Sequence, residues 1–162
     1  MKIFVIESLI LIVLFTIAIV GQCKDPLNVI YDMPKPIVDR CLELGLISER
    51  QTFSSKETKI KKLTAALAIC AALAVLLVYV NHAQTFKDGF LISYGLWLVI
   101  DWYDFFVLDW LWICHDRRFI VPGTEDLIDS YRDYKFHFMG SVKGMIIGLP
   151  VCLIVGLIVM VL

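Results

Sequence analysis

Four long apolar runs, separated by charged segments, constrain the fold of this chain more than any other feature. A membrane-spanning helix needs roughly 20 predominantly apolar residues, and each run approaches or exceeds that length. Hydrophobic residues make up 59% of the chain and charged residues only 19%, which is outside the usual range of soluble domains. The sequence therefore predicts an all-α integral membrane protein, a four-helix bundle. The predicted spans cover residues 3–20, 63–80, 90–114 and 142–162.

The segments between these spans, 21–62 and 115–141, are predicted to be cytoplasmic and to carry short helices. Thirteen of the 15 Lys and Arg residues lie in them or directly beside them, and positive charge is retained on the cytoplasmic side of a membrane. This predicts a multi-pass protein of the cell membrane with both termini outside. The first run lacks a small-residue cleavage site. It is therefore expected to be retained, so that residues 1–162 form a single four-span membrane domain.

Local signals place the short helices. Pro36 suits a helix start and Gly45 a helix end, with apolar residues at helical spacing between them. Pro122-Gly123 is a turn signal. Thr124 is expected to cap a helix that runs to about Phe136.

A stripe of small residues runs along the fourth span. Small residues spaced four apart let helices in lipid approach closely, which predicts a role in packing rather than in chemistry. The expected partner is the alanine-rich face of the second span, and a second copy of the protein is the alternative. Besides the lipid bilayer, a homo-oligomer or a larger membrane complex is therefore an expected partner. The stripe consists of Gly140, Gly144, Gly148, Cys152 and Gly156.

Three aspartates, Asp101, Asp104 and Asp109, interrupt the third span. An aspartate costs about 2.5–3.5 kcal/mol at the centre of a membrane helix, so these are expected to face the bundle interior, to be protonated or to bind a cation. At about 100° per residue, Asp104 lies about 60° to one side of Asp101 and Asp109 about 80° to the other. His115 points in nearly the same direction as Asp104. The four residues predict a polar face that is open toward the cytoplasm.

This acidic face is predicted to hold a cation or a proton. Crowded carboxylates share protons, and carboxylates with histidines also suit Mg²⁺, Mn²⁺ or Zn²⁺. A divalent metal is therefore a candidate cofactor, with candidate ligands Asp104, His115, His137 and Glu125. The alternative is structural, with Asp104 or Asp109 paired to Arg117, Arg118 or Lys143.

Glu7 is a further acid inside an apolar run, in the first span. It lies at a different depth from Asp101. Its candidate partners are His82 and Lys87, and the alternative is a carboxyl group that stays protonated.

Signatures of known chemistry are absent from the sequence. There is no H-E-x-x-H, G-x-S-x-G, P-loop or dinucleotide-binding motif. The net charge of −1 gives no reason to expect a nucleic-acid partner, and the five cysteines form no C-x-x-C pair.

Three functions stay open. The first is a cation- or proton-binding protein acting in transport, in sensing or within a complex. The second is a membrane-embedded, metal-dependent enzyme for a lipid-type substrate on the cytoplasmic side, in which Asp101, Asp104 and His115 serve as metal ligands or as acid and base. The third is a structural subunit whose aspartates pair with a basic partner.

Overall fold

The computed structural model describes residues 2–48 and 56–162, and all regular structure in these residues is helical. The predicted all-α class is confirmed. In chain order the elements are α1 (Lys2–Gln22), a 3₁₀ helix (Pro26–Asp32), α2 (Lys35–Glu43), α3 (Lys56–Asn81), α4 (Phe86–Tyr103), a π-helix (Asp104–Ile113), two 3₁₀ turns (Arg117–Phe119 and Glu125–Leu127), α5 (Ile128–Tyr131) and α6 (Tyr134–Val161).

Three helical stretches are long and apolar enough to cross a membrane, namely Lys2–Gln22, Phe86–Ile113 and Tyr134–Val161. They contain most of the first, third and fourth predicted spans. The second predicted span lies in α3, whose apolar part within the described residues, Ala66–Asn81, is shorter. The structure thus has three candidate spans, and the fourth stays a prediction.

α1 is apolar on all sides and buries very little of itself. Its one buried residue is Ser8, whose hydroxyl donates to the carbonyl oxygen of Phe4 at 2.8 Å. A helix that is apolar all round is typical of a membrane span or of the core of a large protein. The exposed large apolar side chains of α1 are Ile3, Val5, Ile6, Leu9, Ile10, Val13, Leu14, Ile17 and Val20.

The chain forms two compact units, and the long helices contribute to both. The first unit draws on residues 1–12, 54–102 and 142–162, and the second on residues 13–53 and 103–141. In the first unit α3 packs on α6 through a small apolar core. That core consists of Cys70, Ala74, Leu77, Ala83, Val155 and Val159.

Three glycines of the stripe, Gly144, Gly148 and Gly156, face α4 within the first unit. A Cβ added to Gly148 would lie 2.6 Å from Cδ1 of Trp97, and one added to Gly156 would lie 2.9 Å from the carbonyl oxygen of Phe86. The expected partner, the alanine-rich face of α3, is therefore wrong for these glycines. The physical reason is size, because the bulky side chains of α4 need the room that glycine leaves. Ala74 of α3 packs against valines of α6 instead.

The second unit is built around α2 and the polar segments. α2 carries a proline in its first turn and is followed by Gly45, whose φ of +68° is in the left-handed region. The predicted start of this helix near Pro36 and its predicted end near Gly45 are therefore confirmed. The predicted cytoplasmic segment 21–62 includes residues 49–55, which lie outside the described residues. The core of the unit consists of Val29, Ile30, Met33, Ile37, Cys41, Phe119, Val121 and Tyr131.

Thr124 occupies the predicted position but makes different hydrogen bonds. Gly123, with a φ of +90°, forms the predicted turn, and Thr124 precedes the 3₁₀ turn. Its hydroxyl, however, donates to the carbonyl oxygen of Val121 at 2.7 Å and lies 2.8 Å from the hydroxyl of Tyr131. Thr124 therefore does not cap the next turn with its side chain and instead joins the buried core.

The helix predicted to run to Phe136 ends earlier, at Tyr131. The side chain of Asp133 accepts a hydrogen bond from the N–H of Phe136 at 2.9 Å. An aspartate three residues before the N–H that it accepts from is a typical N-cap. It starts a new helix, so α6 begins at Tyr134, well before the predicted start of the fourth span.

Candidate functional site

The candidate site lies on one face of the π-helix Asp104–Ile113. Each backbone N–H in a π-helix bonds the carbonyl five residues earlier, rather than four, and the Cys114 N–H closes such a bond to the Asp109 carbonyl at 2.9 Å. Residues five apart in a π-helix are therefore neighbours on one face, as residues four apart are in an α-helix. Asp104, Asp109 and Cys114 have this spacing. The α-helical geometry, which separates Asp104 from Asp109 by about 140°, is wrong for this segment.

Asp109 pairs with His137 of α6. Its Oδ2 lies 3.1 Å from Nδ1 of the imidazole, and the His137 side chain is 5% exposed. The other ring nitrogen, Nε2, is buried and has no hydrogen-bond partner among the described residues. The Cys114 side chain, only 4% exposed, lies beside the same ring. A carboxylate that holds Nδ1 fixes the ring orientation and leaves Nε2 able to bind or release a proton.

Cys23 and Asp32 lie close to the π-helical face. Burial raises the pKa of the Cys23 thiol, and the carboxylates of Asp104, Asp109 and Asp32 raise it further. The pKa of Asp32 is also raised, first by desolvation and then by the charge of Asp109. Asp32 as a whole is nonetheless exposed. The desolvation therefore reflects crowding of its carboxylate by neighbouring protein atoms, while part of the residue stays in contact with water.

The basic residues that follow the π-helix do not neutralise Asp109. Arg118 instead pairs with Asp116. The Asp116 carboxylate accepts hydrogen bonds from the Arg118 guanidinium Nε at 2.8 Å and from the Arg118 backbone N–H at 3.0 Å. The indole of Trp112 donates to the same carboxylate at 3.0 Å. These hydrogen bonds from Arg118 hold the pKa of Asp116 at about 2. The structural alternative paired Asp104 or Asp109 with Arg117, Arg118 or Lys143. Among the described residues, Asp109 pairs with His137 instead, and the alternative for Asp104 stays a prediction.

The predicted metal ligands do not form one group among the described residues. The carboxylate of Glu125 accepts from the backbone N–H of Gly123 at 2.9 Å. Nδ1 of His115 lies 2.8 Å from the carbonyl oxygen of Trp110, and the residue is exposed. Within the described residues, no three His, Cys, Asp or Glu side chains are grouped so that they could hold a metal ion. Of the four candidate ligands, Asp104 lies on the face that carries Asp109, and His137 contacts Asp109 directly.

Asp101 belongs to the first unit, whereas Asp104 and Asp109 belong to the second. The Asp101 carboxylate lies directly against the backbone of Gly144, so that a Cβ at this glycine would collide with Oδ1. A side chain at position 144 would therefore require the Asp101 carboxylate to shift. The predicted joint role of Asp101 and Asp104 stays a prediction.

Three residues near the site were not predicted from the sequence, namely Cys23, Asp32 and Cys114. For Cys114 a signal exists, because it continues the five-residue spacing of Asp104 and Asp109. No local pattern points to Asp32, which the 3₁₀ helix Pro26–Asp32 brings close to the π-helix. No protein family, no curated protein and no solved structure matches this chain. Function therefore has to be inferred from the Asp109–His137 pair and its surroundings.

Proposed function

We propose that this chain is a multi-pass membrane protein that binds and releases a proton at the Asp109–His137 pair. The observation that carries the proposal is the buried imidazole of His137, whose Nδ1 contacts a carboxylate and whose Nε2 has no hydrogen-bond partner among the described residues. A histidine in this arrangement can be neutral or protonated, and proton uptake and release need both forms. The protein would use them in transport, in sensing or as part of a larger membrane complex.

The membrane setting is supported by the helices and by the charge distribution. Three helical stretches have the length and composition of membrane spans, and α1 exposes apolar side chains along its whole length. We take α3 as a fourth span, since it has 26 residues and ends in an apolar stretch. The strong excess of Lys and Arg in the two long polar segments favours a cytoplasmic location for both.

The chemistry of the pair favours a proton over a metal ion. In the neutral state Nδ1–H donates to Asp109, and Nε2 carries a lone pair. Protonation of Nε2 yields an imidazolium. The Asp109 carboxylate, whose Oδ2 lies 3.1 Å from Nδ1, compensates its positive charge. A zinc site has three or four protein ligands, and the described residues do not group three His, Cys, Asp or Glu side chains in this way.

Other titratable groups surround the pair and would respond to its charge. Asp104 and Cys114 share its face of the π-helix, while Asp32 and Cys23 approach from the segment after α1. Asp32 is the exposed member of this group. It is therefore the member through which the pair would exchange protons with water.

The proposal is tested by following the histidine side chains of the whole protein in detergent micelles by ¹⁵N NMR between acid and alkaline pH. The chain has three histidines, so that His137→Gln identifies the signal of the pair. We expect this signal to titrate reversibly, and Asp109→Asn to move its midpoint toward lower pH by about 1–3 units.

The matched control is His115→Gln, which removes an exposed imidazole from the same unit. It should leave the midpoint of His137 unchanged. An imidazole of His137 that keeps one protonation state at every pH at which the protein is folded would refute the proposal. An unchanged midpoint in Asp109→Asn would refute the assigned role of the carboxylate.

A further inference from the structure

A second polar pair joins α1 to the end of α3 in the first unit. The Asn81 side chain donates from Nδ2 to Oε2 of Glu7 at 2.9 Å. The remaining oxygens of the two groups, Oε1 of Glu7 and Oδ1 of Asn81, are both buried and have no hydrogen-bond partner in the part of the chain that the structure describes. The pair therefore contains two buried acceptors and lacks one donor.

Among the described residues, no basic side chain forms an ion pair with Glu7, and this includes the two predicted partners, His82 and Lys87. A buried carboxylate oxygen without a donor is costly, and an uncompensated buried charge costs more. Buried polar atoms in native proteins nearly always have partners, so that a missing hydrogen is the simplest explanation for two unpaired oxygens.

We propose that Glu7 is a second proton-binding site, at which Oε1 carries a proton and donates it to Oδ1 of Asn81. A carboxylic acid and a carboxamide are complementary, since each offers one donor and one acceptor. One proton then gives a donor to the pair, removes the charge of Glu7 and accounts for both unpaired oxygens. The inference is independent of the Asp109–His137 pair, which lies in the other unit.

The backbone holds Asn81 in place for this contact. α3 ends at Asn81, and the next residue, His82, has a φ of +56°, in the left-handed region that favours glycine. The N–H of Ala83 then bonds back to the carbonyl oxygen of Leu77 at 3.1 Å, which closes the helix end. Asn81 thus has a fixed position opposite α1. α1 buries very little of itself, and the hydrogen bond from Asn81 to Glu7 is one of its contacts in the first unit.

Infrared spectroscopy of the whole protein in an ester-free detergent tests the proposal, because a protonated carboxyl group has its own carbonyl band. At neutral pH we expect such a band in the wild type, its loss in Glu7→Gln and its retention in Asp129→Asn, which alters an exposed acid. In Asn81→Ala the band should remain but move to higher frequency, because the hydrogen-bond partner is lost. Glu7→Gln should keep the melting temperature of the wild type, since its amide supplies an N–H where the acid supplies an O–H.

Each of the following results would overturn the proposal. The first is that the difference spectrum between wild type and Glu7→Gln shows no protonated carboxyl band. The second is that neither Glu7→Gln nor Asn81→Ala changes the band, which would assign it to another acid. The third is that sodium, exchanged for choline at constant ionic strength, raises the melting temperature of the wild type but not of Glu7→Gln. That result would show a metal cation in place of the proton. Failure of Glu7→Gln to fold would also contradict the proposed hydrogen bonds.

Discussion

Substituting Gly148 by alanine tests the contact between α6 and α4. The added Cβ would lie 2.5 Å from Nε1 and 2.7 Å from Cε2 of Trp97, far inside ordinary van der Waals contact. The same indole N–H donates to the carbonyl oxygen of Gly144 at 3.1 Å, so that the ring cannot move away without weakening this bond. Overpacking costs about 1–3 kcal/mol, and the hydrogen bond contributes about 0.5–1.5 kcal/mol. The higher helix propensity of alanine offsets about 1 kcal/mol, which leaves an expected loss of about 2 kcal/mol.

Unfolding of the whole protein in mixed micelles, followed by circular dichroism, measures this loss. Gly140→Ala is the matched control, because it makes the same change in the same helix where nothing lies within 4 Å of the added Cβ. It should be neutral or stabilising by up to about 1 kcal/mol. Equal stabilities of the two variants would refute the contact with Trp97. A change of oligomeric state in Gly148→Ala without a loss of stability would place the glycine stripe between two copies of the chain instead.

The second unit yields three further predictions. Tyr131→Phe should cost about 1–3 kcal/mol in thermal unfolding, because it leaves the buried N–H of Val121 without the tyrosine oxygen that it donates to at 3.1 Å. The pKa of Asp116, held at about 2, lies below its ordinary value of 3.8. Its contribution to stability is therefore complete above about pH 4 and is lost as the pH falls toward 2. Because the pKa of the Cys23 thiol is raised, its maleimide labelling should need more alkaline pH than that of a free thiol, and Asp104→Asn should make it faster at a given pH.

Each of these predictions has its own control. Tyr134→Phe removes an exposed hydroxyl and should leave the melting temperature nearly unchanged. Asp116→Asn should be less stable than the wild type at neutral pH and should approach it near pH 2. If the stabilities of Asp116→Asn and the wild type changed in parallel with pH, the hydrogen bonds assigned to Asp116 would be contradicted. For Cys23, the other four cysteines are buried, so that Cys23→Ser should abolish most labelling of the folded protein. Labelling that follows the pH dependence of a small free thiol would contradict the raised pKa.

Most of the helical architecture follows from local sequence patterns. Long apolar runs predict α1, α4 and α6, because only a helix satisfies the backbone of such a run without water. The boundaries of α2 follow from Pro36 and Gly45, which act through their own backbone preferences. The partner of the glycine stripe could not be predicted in this way. Several apolar faces offer comparable surfaces, and the choice of α4 depends on the shape of Trp97 and Phe86 against α6.

The candidate site was predictable in part. Its acids and His137 can be recognised in the sequence by residue type, because ionisable residues in apolar helices are rare and usually have a specific role. Their grouping depends on a helix geometry that composition does not reveal. Propensities favour an α-helix for this segment, whereas the structure has ten residues of π-helix. Asp32 joins the group through the path of the chain after α1, and contacts between such distant segments carry no local signal.

The two largest departures from the predicted helices are also the two features that create the Asp109–His137 pair. The π-helix brings Asp109 onto the face shared by Asp104 and Cys114. The break after Tyr131 lets Asp133 start α6. His137 follows within the first turn, and its backbone N–H donates to the carbonyl oxygen of Asp133 at 3.3 Å. Departures from local preference are expected where function requires them, and both departures here act on the same ion pair. The proposed proton site would therefore depend on both departures.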